Sequence, residues 1–67
     1  MVDYYVFRLN GNVKRIAKIE DNSIAYGWER GEWVEMPGLL KIQNEDTDYI
    51  EITKKECDYL IDKLKGV

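Results

Sequence analysis

Residues 53–65 have the sequence TKKECDYLIDKLK, and this stretch decides the fold because it carries the local signals of an α-helix. Thr53 and Glu56 have the spacing of a capping box, in which each side chain binds the other residue's backbone amide at a helix N-terminus. Four apolar residues then follow the i, i+3, i+4, i+7 pattern of one buried helix face: Cys57, Leu60, Ile61 and Leu64. The sequence therefore predicts an amphipathic helix from about Lys54 to Lys65.

The chain ahead of this helix is rich in β-branched and aromatic residues, which favour strands. Residues 2–9 and 13–20 form a first predicted hairpin around Asn10-Gly11-Asn12. We expect a three-residue loop, because a two-residue loop would set Phe7 opposite Lys14 and mix the two faces. In the preferred register, with Arg15 as the only misfit, one face carries Tyr5, Phe7, Leu9, Val13, Ala17 and Ile19.

Residues 24–36 predict a second hairpin, with Gly31 in the left-handed position of a three-residue loop. This register places Trp28 opposite Glu32 and Trp33 across from Gly27. The alternative is a two-residue turn at Arg30-Gly31, which pairs Trp28 with Trp33. Arg30 is a poor residue for the positive φ that the shorter turn requires.

Pro37-Gly38 ends this second hairpin. Residues 38–43 fit either a helical turn or a short strand, and residues 49–52 predict a final strand. The predicted fold class is α+β, a small antiparallel β-meander of two hairpins plus a short final strand, packed against one C-terminal α-helix. Residues 1–67 form a single domain in this interpretation, because a chain this short builds one core. The pattern leaves open which sheet face the helix covers.

Composition restricts the class of function. The chain has 67 residues, a net charge of −3 and a pI near 4.8, which argues against nucleic acid or an anionic membrane as the main partner. A single cysteine allows no intramolecular disulfide and suits a reducing compartment. No apolar run approaches the roughly 18 residues of a membrane span. We therefore expect a cytoplasmic protein with no membrane partner.

The residue types that carry chemistry are scarce. The chain has no histidine, so neither a zinc site nor the commonest general base is expected, and we predict no enzyme activity, cofactor or metal. Asn44, Asp46 and Asp48 alternate as in a calcium loop, but Tyr49 replaces the glycine and Lys55 the bidentate glutamate of that loop. Cys57 lies on the apolar helix face and is expected to be a buried structural thiol.

A single helix covers one sheet face, so the other face is expected to expose apolar side chains. We therefore predict a small binding or accessory module that acts through protein contacts and forms a homodimer. The alternative is a nucleic-acid-binding accessory protein that uses Arg8, Lys14 and Lys18 beside apolar neighbours. A catalytic or metal-dependent role ranks third. The predicted interaction surface contains Trp33, Tyr4, Val6, Ile16, Arg8, Lys14, Lys18 and Tyr59.

Overall fold

The structure, a computed structural model, describes residues 1–44 and 48–65. Five strands form one antiparallel sheet in the order β4-β3-β2-β1-β5, followed by one helix, so the predicted α+β fold class is confirmed. The elements are β1 (Val2–Leu9), β2 (Asn12–Glu20), β3 (Ile24–Glu29), β4 (Glu32–Glu35), a 3₁₀ segment (Pro37–Gln43), β5 (Tyr49–Ile52) and α1 (Lys54–Lys65). Within the described ranges, no helix is long and apolar enough to cross a membrane.

The helix has the predicted bounds and the predicted cap. Thr53 Oγ1 accepts a hydrogen bond from the backbone N–H of Glu56 at 3.1 Å. Glu56 Oε1 accepts one from the backbone N–H of Thr53 at 3.3 Å. The capping box thus satisfies two amide groups at this helix end. Cys57 and Ile61 are the buried residues of the helix, whereas Leu64 remains 46% exposed.

The first hairpin turns more tightly than predicted. Asn10 and Gly11 have φ of 53° and 80°, and Leu9 pairs with Asn12 across a two-residue turn, so the three-residue loop is wrong. The register shifts by one residue at a bulge between Phe7 and Arg8. Beyond this bulge Phe7 pairs with Arg15, which is the pairing expected for the longer loop. Asn-Gly adopts the tight turn at little cost, and the extra residue prevents the mixing of faces that the shorter turn would otherwise cause.

The second hairpin also has a two-residue turn, so its preferred register is wrong and the alternative is correct. Arg30 and Gly31 have φ of 54° and 83°, and Trp28 pairs with Trp33. The two indole rings meet edge to face, with centroids 5.2 Å apart. Such a contact contributes about 0.5–1.5 kcal/mol beyond its burial. It therefore offsets part of the cost of a left-handed arginine, which is about 1–2 kcal/mol.

The two remaining segments are the strand β5 and the 3₁₀ segment. Residues 49–52 form the predicted final strand, and this strand pairs with β1 at the edge opposite β4. The open question for residues 38–43 is answered by the 3₁₀ segment, which lies against β3. The calcium-like spacing includes Asp46, which lies outside the described residues.

The helix packs on the sheet face that carries Val6 and Ile16, which we call the helix face. Ile16, Cys57 and Ile61 form its buried cluster. Half-buried apolar side chains surround this cluster: Tyr4, Val13, Trp28, Trp33, Ile52 and Leu60. Val13 therefore lies on the helix face and not with Tyr5 and Phe7 as predicted, because the bulge reverses the alternation at this end of β2.

Successive residues of each strand point to the helix face and to the opposite face in turn. Ala17 pairs with Tyr5 on one side and with Gly27 on the other, and Gly27 pairs with Val34, so these four residues form a row across the sheet. Ala17, Ile19 and Ala25 on this face are at most 1% exposed. The 3₁₀ segment lies against the β3 side of this face, and β1 and β5 form its other side.

Candidate interaction surface

The apolar part of the predicted interaction surface lies beneath the helix. Val6 is 0% exposed and Ile16 is 1% exposed, so the prediction that both residues are on an uncovered face is wrong. Tyr4 and Trp33 are half-buried and pack against the cluster of Ile16 with the helix. The helix covers this face because the side chains of β1, β2, β3 and β5 present a continuous apolar area there for the Cys57–Ile61 stripe.

The basic part of that surface does not form one open patch. The Lys18 ammonium lies 4.9 Å from the ring centroid of Tyr26 and 4.8 Å from that of Trp33. It also contacts Glu20 Oε2 at 3.2 Å, and the Lys18 side chain is only 18% exposed. Arg8 and Lys14 are exposed near the β1–β2 turn. The Lys18 ammonium thus already has contacts within the chain. The alternative of nucleic-acid binding required Lys18 to be available and the face beside it to be uncovered, and neither condition holds.

Tyr59 remains on the outside of the helix, as its position in the helical pattern predicts. Its side chain is 61% exposed. The Lys63 ammonium lies 5.4 Å from the ring centroid, within the range of a cation–π contact. A single exposed aromatic residue is common on protein surfaces and needs no functional explanation.

The opposite face has an aromatic surface over β1 and β5. The Phe7 and Tyr49 rings are tilted against each other, with centroids 5.5 Å apart. Tyr5 lies one row further along β1 on the same face, paired with Glu51 of β5. Tyr5, Phe7 and Tyr49 are half-buried. We call this surface the open half-face, and it contains Tyr5, Phe7, Arg15, Tyr49, Asp3 and Glu51.

Arg15 borders the open half-face toward the 3₁₀ segment. Its Nη1 donates a hydrogen bond to Met36 Sδ at 2.9 Å. A Cβ atom on Gly27 would lie 2.6 Å from that sulfur and 2.9 Å from Nη1, so both side chains rest directly on the bare glycine backbone. A thioether is a weak acceptor, and a guanidinium has five N–H donors. Among the described residues, Met36 Sδ is the side-chain acceptor of Arg15.

The two phenols of the open half-face stay protonated near neutral pH. Burial raises the pKa of Tyr5, and the carboxylates of Asp3 and Glu51 raise it further. Burial also raises the pKa of Tyr49, although nearby Arg15 acts in the opposite direction. Both hydroxyl groups therefore remain neutral. The surface combines apolar rings with one guanidinium and two carboxylates.

Tyrosine, phenylalanine and arginine are the residue types enriched at the centres of protein–protein interfaces. Tyr5 and Phe7 lie on one face with Ala17 and Ile19, as predicted, but the predicted interaction surface did not include them. The available signal was Arg15, a charged residue that follows Val13 and precedes Ala17 and Ile19 on the predicted apolar face of the second strand. A guanidinium in a row of apolar side chains indicates a surface that is not fully buried.

The single thiol is buried, as predicted. Cys57 is 0% exposed, and burial raises its pKa, with Asp58 acting in the same direction. Both effects disfavour the thiolate, which is the reactive form. In residues 1–44 and 48–65, no three His, Cys, Asp or Glu side chains are arranged to hold a metal ion.

Two shallow grooves flank the helix ends. One, of about 450 Å³, lies beside the helix N-terminus and is lined by Val2, Asp3, Tyr4, Glu51, Ile52, Thr53, Lys54 and Glu56. The other, of about 410 Å³, lies between the helix C-terminus and the second hairpin, lined by Trp28, Glu29, Arg30, Gly31, Leu64 and Lys65. In the second groove the Lys65 ammonium lies 5.7 Å from the Trp28 ring centroid. The groove thus already contains a cation–π contact within the chain.

Comparison with protein families, with curated proteins and with solved structures finds no match in any of the three.

Proposed function

We propose that the chain is a small cytoplasmic binding or accessory module that acts through protein contacts and self-associates by its open half-face. One observation carries the proposal. Three half-buried aromatic rings lie beside an arginine whose guanidinium donates to a thioether. Such a combination favours contact with another protein, because the rings gain burial and the guanidinium gains a stronger acceptor.

The size of the chain supports self-association. A domain of about 60 residues buries only about 60% of the surface of its unfolded chain, so its stability is small. A partner subunit is one of the usual ways in which so short a chain gains further apolar burial. The absence of histidine from the sequence and the buried, protonated thiol favour a binding role over a catalytic one.

Sedimentation velocity from about 10 μM to about 1 mM tests the proposal, because small interfaces associate weakly. We expect the wild-type mass to increase with concentration toward that of a dimer. Tyr5→Ser should weaken this association. Tyr59→Ser, the same substitution on the exposed outer side of the helix, is the matched control and should leave it unchanged.

A wild-type chain that stays monomeric over the whole range would contradict self-association. A different result, in which Tyr59→Ser abolishes the dimer and Tyr5→Ser does not, would move the interface to the helix.

A further inference from the structure

We infer that Asn10 is a modification site, at which the side-chain amide deamidates through attack by the backbone nitrogen of Gly11, and that opening of the first turn sets the rate. The site is independent of the proposed self-association. The sequence of the turn, its exposure and its left-handed backbone carry this inference.

Asn10 is the one asparagine of the sequence that a glycine follows. Glycine has no side chain, so nothing shields its backbone nitrogen from the neighbouring amide. The other three asparagines are each followed by a residue with a side chain, which hinders the same attack. The sequence therefore favours deamidation at Asn10 over the other asparagines of the chain.

The side chain of Asn10 is also exposed and unrestrained. Asn10 and Gly11 are exposed, and a Cβ atom on Gly11 would have no atom within 4 Å. In the part of the chain that the structure describes, no side-chain hydrogen bond holds the Asn10 amide. Asn22 also has a positive φ, but its Oδ1 accepts a hydrogen bond from Gln43 Nε2 at 2.7 Å. The Asn10 amide can therefore rotate toward the main chain, whereas that of Asn22 is held.

The reaction needs only water and a mild base. The Gly11 nitrogen loses its proton and attacks Asn10 Cγ, so that an N–Cγ bond forms. The Cγ–Nδ2 bond breaks, and Nδ2 takes up a proton and leaves as ammonia. Water then opens the resulting succinimide ring at either carbonyl, which yields aspartate or isoaspartate. The net reaction converts an amide and water into a carboxylate and an ammonium ion.

The closed turn opposes this reaction. Asn10 and Gly11 have φ of 53° and 80°, the left-handed values of a two-residue type I′ turn. In the left-handed region the Asn10 Cβ and the Gly11 nitrogen lie on nearly opposite sides of the Cα–C bond, whereas the succinimide ring requires them on the same side. This bond must therefore rotate, and the pairing of Leu9 with Asn12 must open first. Such local openings require less free energy than global unfolding.

The two products differ in what they do to the hairpin. Aspartate fits the same turn, because Asp-Gly is also favoured there. Isoaspartate adds one carbon to the main chain of a two-residue turn, which disrupts the pairs Leu9–Asn12 and Arg8–Val13 that close it. Val13 packs against the cluster around Ile16, so the disruption reaches the edge of the core. The isoaspartate form should therefore unfold at a lower urea concentration than the variant Asn10→Asp.

Peptide mapping by mass spectrometry tests the site. The native chain and the chain unfolded in guanidinium chloride are incubated in the same mildly alkaline buffer, and conversion is followed at each asparagine. We expect Asn10 to convert first in the native chain, at least about tenfold more slowly than in the unfolded chain, because only the open fraction reacts. Asn10→Gly is the matched control. It keeps a turn sequence that tolerates positive φ and lacks the amide, so most of the ammonia release should disappear.

Four results would overturn parts of the inference. Conversion of another asparagine ahead of Asn10 in the native chain would overturn the site. A native Asn10 that is still intact after about a hundred half-lives of the unfolded reaction would do the same, because the turn would not open far enough to react. Equal rates in the native and unfolded chains would overturn the control by turn opening. An isoaspartate form as stable as Asn10→Asp, after the two are separated by ion-exchange chromatography, would overturn the predicted loss of strand pairing.

Discussion

The two faces of the sheet are covered in different ways. One regular helix covers the helix face and buries Val6 and Ile16 almost completely. The opposite face is covered near β3 by a seven-residue 3₁₀ segment, and Tyr5, Phe7 and Tyr49 remain half-buried on its β1 and β5 side. Both faces therefore contribute to the core, the helix face with Val6 and Ile16 and the other face with Ala17, Ile19 and Ala25, whereas the rings on the β1 and β5 side of that second face are only half-buried.

The largest effect is expected from Ile16→Ala beneath the helix. Removing the side chain leaves a cavity between β2 and Cys57, and such truncations cost about 2–5 kcal/mol. Urea denaturation measures the change in the free energy of unfolding. Ile50→Ala is the matched control, because the same side chain is 60% exposed on β5, and it should cost less than about 0.5 kcal/mol. Equal effects of the two substitutions would contradict the difference in burial between Ile16 and Ile50, which lie on the same sheet face.

The reactivity of Cys57 tests how tightly the helix seals the same face. Alkylation requires an opening of the structure, because the thiol is 0% exposed and its pKa is raised. We expect iodoacetamide to label the native chain at least about a hundredfold more slowly than the urea-unfolded chain, as opening costs about 3 kcal/mol or more. Mass spectrometry over a time course measures both rates. Similar rates would mean that the helix is not docked.

Gly27→Ala tests the packing that holds Arg15 at the border of the open half-face. The new methyl group would overlap Met36 Sδ and Arg15 Nη1, and both side chains would have to move. Overpacking of this kind costs about 1–3 kcal/mol. We expect the low end, about 1–2 kcal/mol, because both contacts are flexible side-chain ends. Gly38→Ala has no atom within 4 Å of the added methyl group, so it is the control and should change stability little in the same urea experiment.

The smallest effect is expected from Thr53→Ala at the helix cap. This substitution removes the acceptor for the Glu56 amide, which costs about 1 kcal/mol. Lys55→Ala, an exposed position in the first helical turn, should stay within about 0.5 kcal/mol. Urea midpoints of the two variants provide the comparison. A cap that contributes nothing would show that tertiary packing alone fixes the start of the helix.

The helix could be predicted from the sequence to its end residues because its signals are local. Thr53, Glu56 and the stripe from Cys57 to Leu64 determine the cap and the buried side within a few turns. The final strand at residues 49–52 was predicted for a similar reason, since its apolar residues follow a polar loop. Neither prediction required knowledge of what the segment packs against.

The hairpins could not be settled in this way because their turns depend on contacts across the strands. The left-handed Arg30 is unfavourable on its own, and the contact between Trp28 and Trp33 compensates for part of this cost. In the first hairpin, a bulge at Lys14 of β2, opposite Phe7 and Arg8, made the tight turn compatible with the expected strand pairing. Local propensity gives no position for such a bulge.

The candidate site was missed for a related reason. Both sheet faces have apolar residues. Which face the helix packs on depends on the total apolar area that the helix can bury there, and no single residue determines it. The bulge moved Val13 onto the helix face, beside Ile16, and so favoured that side. The residues predicted for the uncovered face, Val6 and Ile16, lie on the face that the helix covers.

Nuclear Overhauser effects from the Ile61 methyl groups test the central claim most directly, because they report which sheet face contacts the helix. We predict cross-peaks from Ile61 to Ile16 and to the Trp28 ring, which pack around the same cluster. Cross-peaks from Ile61 to Ala17 or to the Phe7 ring would place the helix on the opposite face and contradict the account.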